Sequence, residues 1–145
     1  MQFTKAEAYG LFGLIYLAKQ APGKVTPLSE IAKIQDVPEK FLAKIFQSLS
    51  KAGVIRSHRG VKGGFSLARP ANEISFREAV EIIHGPYFLA KCFNMEEVCD
   101  RKNCAVKVLL EKAQNTLMEL FEEHTMADLL EWEKEGDESK ATRNV

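Results

Sequence analysis

Residues 37–69 read VPEKFLAKIFQSLSKAGVIRSHRGVKGGFSLAR, and the fold turns on this stretch. Pro38 suits a helix start, where its missing N–H would have had no partner. The apolar residues Phe41, Leu42, Ile45, Phe46 and Leu49 then recur at helical spacing as far as Gly53, a C-terminal stop. Behind that stop, VIRSH and GFSLA flank RGVKG. The alternation of Val54 with Arg56 and of Phe65 with Leu67, with glycines at 60, 63 and 64, predicts a two-stranded hairpin with a flexible tip.

Working outward, Thr26-Pro27 supplies an N-cap and a proline at the first helical position of a short helix that buries Leu28, Ile31, Ala32 and Ile34. The turn QDV joins it to the helix after Pro38, giving a helix-turn-helix, and the hairpin makes this a winged helix. An earlier helix, about residues 4–19, opens on the capping box Thr4 and Glu7 and carries Tyr9, Phe12, Ile15, Tyr16 and Ala18 at helical spacing before APGK breaks it. Ser75 with Glu78 repeats the capping box and starts a helix that Gly85-Pro86 ends. A long helix follows from about 105 to 123, striped by Val106, Leu109, Leu110, Ala113, Leu117, Leu120 and Phe121, and Thr125 caps a last short one. The tail from about Lys134 is charged and nearly free of apolar residues, so disorder is expected there.

The expected fold is therefore mainly α. A winged helix-turn-helix occupies residues 1–85, a cysteine-bearing loop 86–104, a long C-terminal helix with a short terminal one 105–133, and a disordered tail 134–145. With 145 residues, 46% hydrophobic and 28% charged, the chain is long enough for one cored domain. The longest apolar run, GLFGLIYLA at 10–18, falls far short of a membrane span, and no basic segment followed by an apolar run opens the chain. A cytoplasmic protein without a membrane partner is expected.

A formal net charge of zero conceals a division. Residues 1–70 carry eleven Lys and Arg against four acids, and residues 71–145 carry nine against sixteen. Nucleic acid responds to local potential and not to the sum. Between 38 and 69 the cations are Lys40, Lys44, Lys51, Arg56, Arg59, Lys62 and Arg69, and the sole acid is Glu39. Lys40 and Lys44 stand one turn apart on the polar face of the second helix of the helix-turn-helix, where a recognition helix meets the major groove. Arg59 and Lys62 lie on the hairpin tip, placed for a minor groove or for phosphates, and Lys51 is placed for phosphates.

All three cysteines fall in KCFNMEEVCDRKNC, residues 91–104. An odd number cannot close among themselves, and inert core positions do not account for three thiols with such polar neighbours. The run from Pro86 to Cys104 is long for a loop without an ordering ligand. Iron held by thiolates is the sharpest reading. The spacing C-x6-C-x4-C is not the C-x2-C of structural zinc, and a metal-free thiol switch is the other alternative. No residue set joins a nucleophile, a base and an orienter, so an enzyme is not expected.

FTKAEAYGL, VPEKFLAKIFQSLSKAGVIRS, RGVKGGFSLAR, ISFREAVEII and TMADLLEW together resemble the winged-helix transcription regulators typified by IscR, NsrR and CymR, the Rrf-two family. The resemblance spans roughly residues 1–133, and the wing motif R-G-x-x-G-G-[FY] is its most specific part. It implies a homodimer on a palindromic DNA operator, paired through the 105–123 helix with Leu109, Leu117 and Phe121 at the interface. Lys40, Phe41, Lys44 and Arg59 become the DNA-reading positions. It also implies an iron–sulfur cluster on Cys92, Cys99 and Cys104, with [2Fe–2S] first and [4Fe–4S] second. Where some members place a histidine ligand, this chain has Lys107. Where others use a first-helix carboxylate, the nearest residue is Glu7, which is also the acid of the capping box. The expected function is regulation tied to redox, iron–sulfur or nitric-oxide status. The alternative is a cluster-free regulator of the same fold, controlled by a thiol switch, a small molecule or a protein partner.

Overall fold

The computed structural model describes residues 3–90 and 102–143. In chain order the elements are α1 (Lys5–Lys19), α2 (Leu28–Gln35), α3 (Glu39–Lys51), β1 (Ile55–His58), β2 (Gly64–Leu67), a 3-10 turn (Ala71–Glu73), α4 (Phe76–His84), α5 (Ala105–Glu123) and α6 (Met126–Arg143). The winged helix expected from residues 37–69 is present.

α1 runs through the middle of the molecule and packs against α2, α3, α4 and α6. Two glycines permit this approach. A Cβ on Gly10 would stand 2.5 Å from the end of Ile83, and one on Gly13 would stand 2.6 Å from the Phe46 ring. Leu11, Leu14, Ile15 and Leu17 are buried around them, together with Phe46, Leu42, Leu49, Val80 and Met126. Two residues expected inside are outside: Phe12 is 57% exposed and Ile34 is 60% exposed. α1 is covered on most sides, so its helical spacing could not say which flank stays open. At the end of α2, Asp36 turns left-handed at φ 52°, and buried Val37 enters the core where Ile34 does not.

Thr26 also departs from expectation. Pro27, not Thr26, stands at the N-cap of α2. Thr26 is fully buried and exchanges two backbone hydrogen bonds of 2.9 Å with Phe65, adding a one-residue bridge to the wing. The wing itself pairs antiparallel from Ile55 opposite Leu67 to His58 opposite Gly64. Gly64 lies so close to the Thr26 carbonyl that a Cβ there would collide with it. Phe65 packs edge-on to Phe46, with ring centroids 5.1 Å apart, and this seats the wing on the core.

α4 begins at Ser75, whose Oγ accepts the Glu78 N–H at 3.0 Å, and ends at Gly85 with φ 94°. The α5–α6 corner is held to the start of α4 by Met126 N–H to the Ile74 carbonyl at 2.9 Å and Phe76 N–H to the His124 carbonyl at 2.8 Å. The last helix is not short, and the tail from Lys134 is not an irregular segment, because α6 continues to Arg143. Lys134, Glu135, Glu138, Lys140, Ala141 and Arg143 in that stretch favour a helix whether or not it has a core to join. Lys19 pairs with Glu133 at 2.9 Å and ties α6 to α1. Among the described residues no helix is long and apolar enough to cross a membrane.

Candidate nucleic-acid interface and thiol segment

The buried side of α3, Leu42, Ile45, Phe46 and Leu49, leaves Lys40, Phe41 and Lys44 on the opposite side, exposed to solvent. Phe41 is steadied from behind by Tyr9 of α1, edge-on with centroids 5.9 Å apart. Lys51 is exposed in the last turn of α3, and Arg59 and Lys62 are exposed at the wing tip. Among the described residues none of Lys40, Lys44, Lys51, Arg59 and Lys62 has an acidic partner. Their fields therefore add instead of cancelling. Arg69 differs, since it is paired with Glu78. One wing feature escaped sequence reasoning: His58 Nε2 and Ser66 Oγ lie 2.8 Å apart across the hairpin, bracing it just behind Arg59. Their diagonal offset in the register was the signal that could have found the pair.

Of the thiols, Cys92 and Cys99 lie outside the described residues. Cys104 is a free, half-buried thiol at the N-cap of α5. Glu7 is fully buried. Its Oε2 accepts the Thr4 N–H at 3.0 Å and the Thr4 hydroxyl, and its Oε1 accepts the Tyr87 hydroxyl at 2.7 Å. His84 stacks on Tyr87 and places Nε2 3.7 Å from the same Oε1. Burial opposes ionisation of Glu7, but the bonds from Thr4 and Tyr87, its own backbone and nearby His84 outweigh it, and the pKa stays below the ordinary carboxylate value. Both oxygens are thus engaged within the chain. Among the described residues no three potential ligands converge. What fits an iron–sulfur group here is donor chemistry: Cys104 is a soft, unpaired thiol, whereas Glu7 as it stands is a cap.

The three residues expected at a dimer interface separate. Leu109 is 68% exposed, while Leu117 and Phe121 are half-buried and pack on the core, Phe121 edge-on to Phe76 at 4.7 Å. Exposed Leu109 is joined by exposed Val106, Ala113 and Leu120, spaced by three, four and seven residues along one side of α5. That stripe lies beside the one that packs inward.

A helix-turn-helix with an unpaired basic face, set beside a braced basic hairpin, defines a winged-helix DNA-binding protein. Residues 3–132 match the Rrf2 family, described as iron-dependent transcriptional regulators, and the chain belongs to that family. It is accordingly a DNA-binding transcription regulator and not an enzyme. Protein aau3 of Rhizobium meliloti (strain 1021) is 35% identical over 132 residues, covering 90% of this chain and 85% of that protein. CymR of B. subtilis, a global cysteine regulator, superposes with a TM-score of 0.78 at 25% identity, covering 91% of this chain and 98% of that one. The oxidized form of Staphylococcus aureus CymR gives 0.75 at 28% identity, covering 90% and 97%. IscR of T. potens shares the fold, with a TM-score of 0.75 at 24% identity over 94% of this chain and 90% of that one.

Proposed function

We propose that this protein is a homodimeric regulator that binds a palindromic operator and responds to redox, iron–sulfur or nitric-oxide status through a cysteine-bound iron–sulfur cluster. The observation that carries the DNA half is the set of exposed, unpaired cations on α3 and the wing. Lys40 and Lys44, with Phe41 between them, face base edges, and Arg59 enters the minor groove beside them. Lys51 and Lys62 hold phosphates. α5 pairs with its counterpart through Leu109 and the exposed apolar residues in line with it, with Leu117 and Phe121 setting the pitch of the helix from inside. Pairing fixes the distance between two wings, and hence the spacing of half-sites.

The sensing half rests on three thiols within fourteen residues, the last of them directly at the N-cap of α5. Cys92, Cys99 and Cys104 would hold the cluster, [2Fe–2S] before [4Fe–4S], and such a cluster supplies reversible one-electron chemistry at a potential set by its surroundings. Cys104 links the thiol segment directly to the helix that spaces the wings. Likeness to CymR in an oxidized form favours a second reading, a thiol switch in the same segment with no metal.

Protein purified without air should be red-brown and contain iron and sulfide in near-equal amounts, and Cys104→Ala should lose most of both. Colourless protein with freely alkylated thiols after anaerobic reconstitution decides for the thiol switch. For the DNA half, a dimer that neutralises on the order of eight phosphates should show log affinity falling against log salt with a slope of roughly −7, reduced in Lys62→Ala. A flat salt dependence removes the assignment.

A further inference from the structure

The chain leaving α4 is pinned at two points immediately before the thiol-bearing segment. Buried Tyr87 donates its hydroxyl proton to Glu7 of α1, and the Leu89 N–H donates to Gln114 Oε1 of α5 at 2.9 Å. The Glu7 contact exceeds what a helix cap requires. Asp128 performs the same capping task at α6 with a side chain 40% exposed, and its partners, Thr125 and His124, are both within four residues of it. Glu7 is instead fully buried and shared with a residue eighty positions away. Burying a carboxylate is unfavourable unless donors compensate, so this bond fixes where the first turn of α1 sits. Two residues along the same rigid helix, Tyr9 meets Phe41 edge-on, between Lys40 and Lys44 on α3.

We propose that Tyr87 is a positioning residue for DNA reading: through Glu7 it sets the first turns of α1, and through Tyr9 it orients Phe41 and the N-terminal half of α3. The proposal rests on the reading of α3 as the recognition helix. Coupling of this kind travels through packed side chains and a rigid helix, and it is measurable as a difference in discrimination between duplexes.

The test uses full-length protein. The wild type first selects a preferred duplex from a random-sequence pool, and affinities for that duplex and for a random one are then compared with those of Tyr87→Phe, which keeps the ring stacked on His84 and removes the hydroxyl. Tyr87→Phe should keep its random-duplex affinity within about twofold and lose about fivefold to tenfold on the selected duplex, the scale of one buried hydrogen bond. Amide exchange should quicken over residues 39–46 and stay unchanged over the wing. Tyr9→Leu, which keeps apolar bulk but not the ring edge, should show the same loss and decides the matter if Tyr87→Phe does not fold. Wild-type discrimination in both variants, or equal losses on both duplexes, would overturn the proposal. A wild type that selects no duplex would sink the reading of α3 along with it.

Discussion

α1 and α5 are both long helices with many apolar residues, and they have opposite fates. α1 buries seven of its fifteen residues within its own chain, among them two glycines and a carboxylate. α5 has nineteen residues and buries only Met118. Helix propensity does not separate them. The N-terminal region is a closed core that carries its cations outward, whereas α5 has an apolar stripe that no described residue covers. The first region presents a basic surface to DNA, and on the function proposed above the second presents an apolar one to a second copy of the chain.

The largest expected effect breaks the closed side of this contrast. Phe46 is fully buried and touches both Gly13 and the Phe65 ring. Phe46→Ala should cost about 3–5 kcal/mol in urea unfolding and release the wing with the core. The next effect sharpens the contrast within α5 itself. Leu109→Glu should give monomers of unchanged helical content in sedimentation and circular dichroism, weakening association by about 2 kcal/mol or more. Leu117→Glu, on the inward stripe, should instead lower the unfolding free energy of the protomer. If both variants behave alike, the division of α5 into two stripes is wrong.

The smallest effect concerns the cap of α6. The Thr125 N–H, its hydroxyl and His124 hold the pKa of half-buried Asp128 below the ordinary carboxylate value, although desolvation opposes them. A depressed pKa means that the stabilisation is present above the ordinary carboxylate value and is lost as pH falls through the lower folded value. Wild type should therefore melt slightly above Asp128→Asn at neutral pH, with the difference vanishing in acid. A difference that persists at low pH would show that charge is not its source.

The amphipathic α3, its glycine stop and the glycine-tipped wing were legible because each depends on residues a few positions apart, and the exposure of Lys40, Lys44, Arg59 and Lys62 follows from that local period. The open flank of α1 was not legible, since a helix covered on most sides has no single apolar face to point with. Thr26 looked like a cap because its sequence neighbour is a proline, but its backbone was claimed by Phe65, thirty-nine positions away. The extent of α6 was not legible either, because a stretch with no core to join can still be helical.

By itself, then, the sequence determined a winged helix with a basic reading face, an apolar long helix and three clustered thiols, because local periodicity, turn chemistry and charge placement are written in neighbouring residues. Tertiary structure decided which stripe of α5 turns inward, that Ile34 gives way to Val37 in the core, and that Glu7 answers to Tyr87 as well as to Thr4. Those outcomes depend on which distant surfaces meet, and no periodicity along a single chain encodes the partner on the other side of a contact.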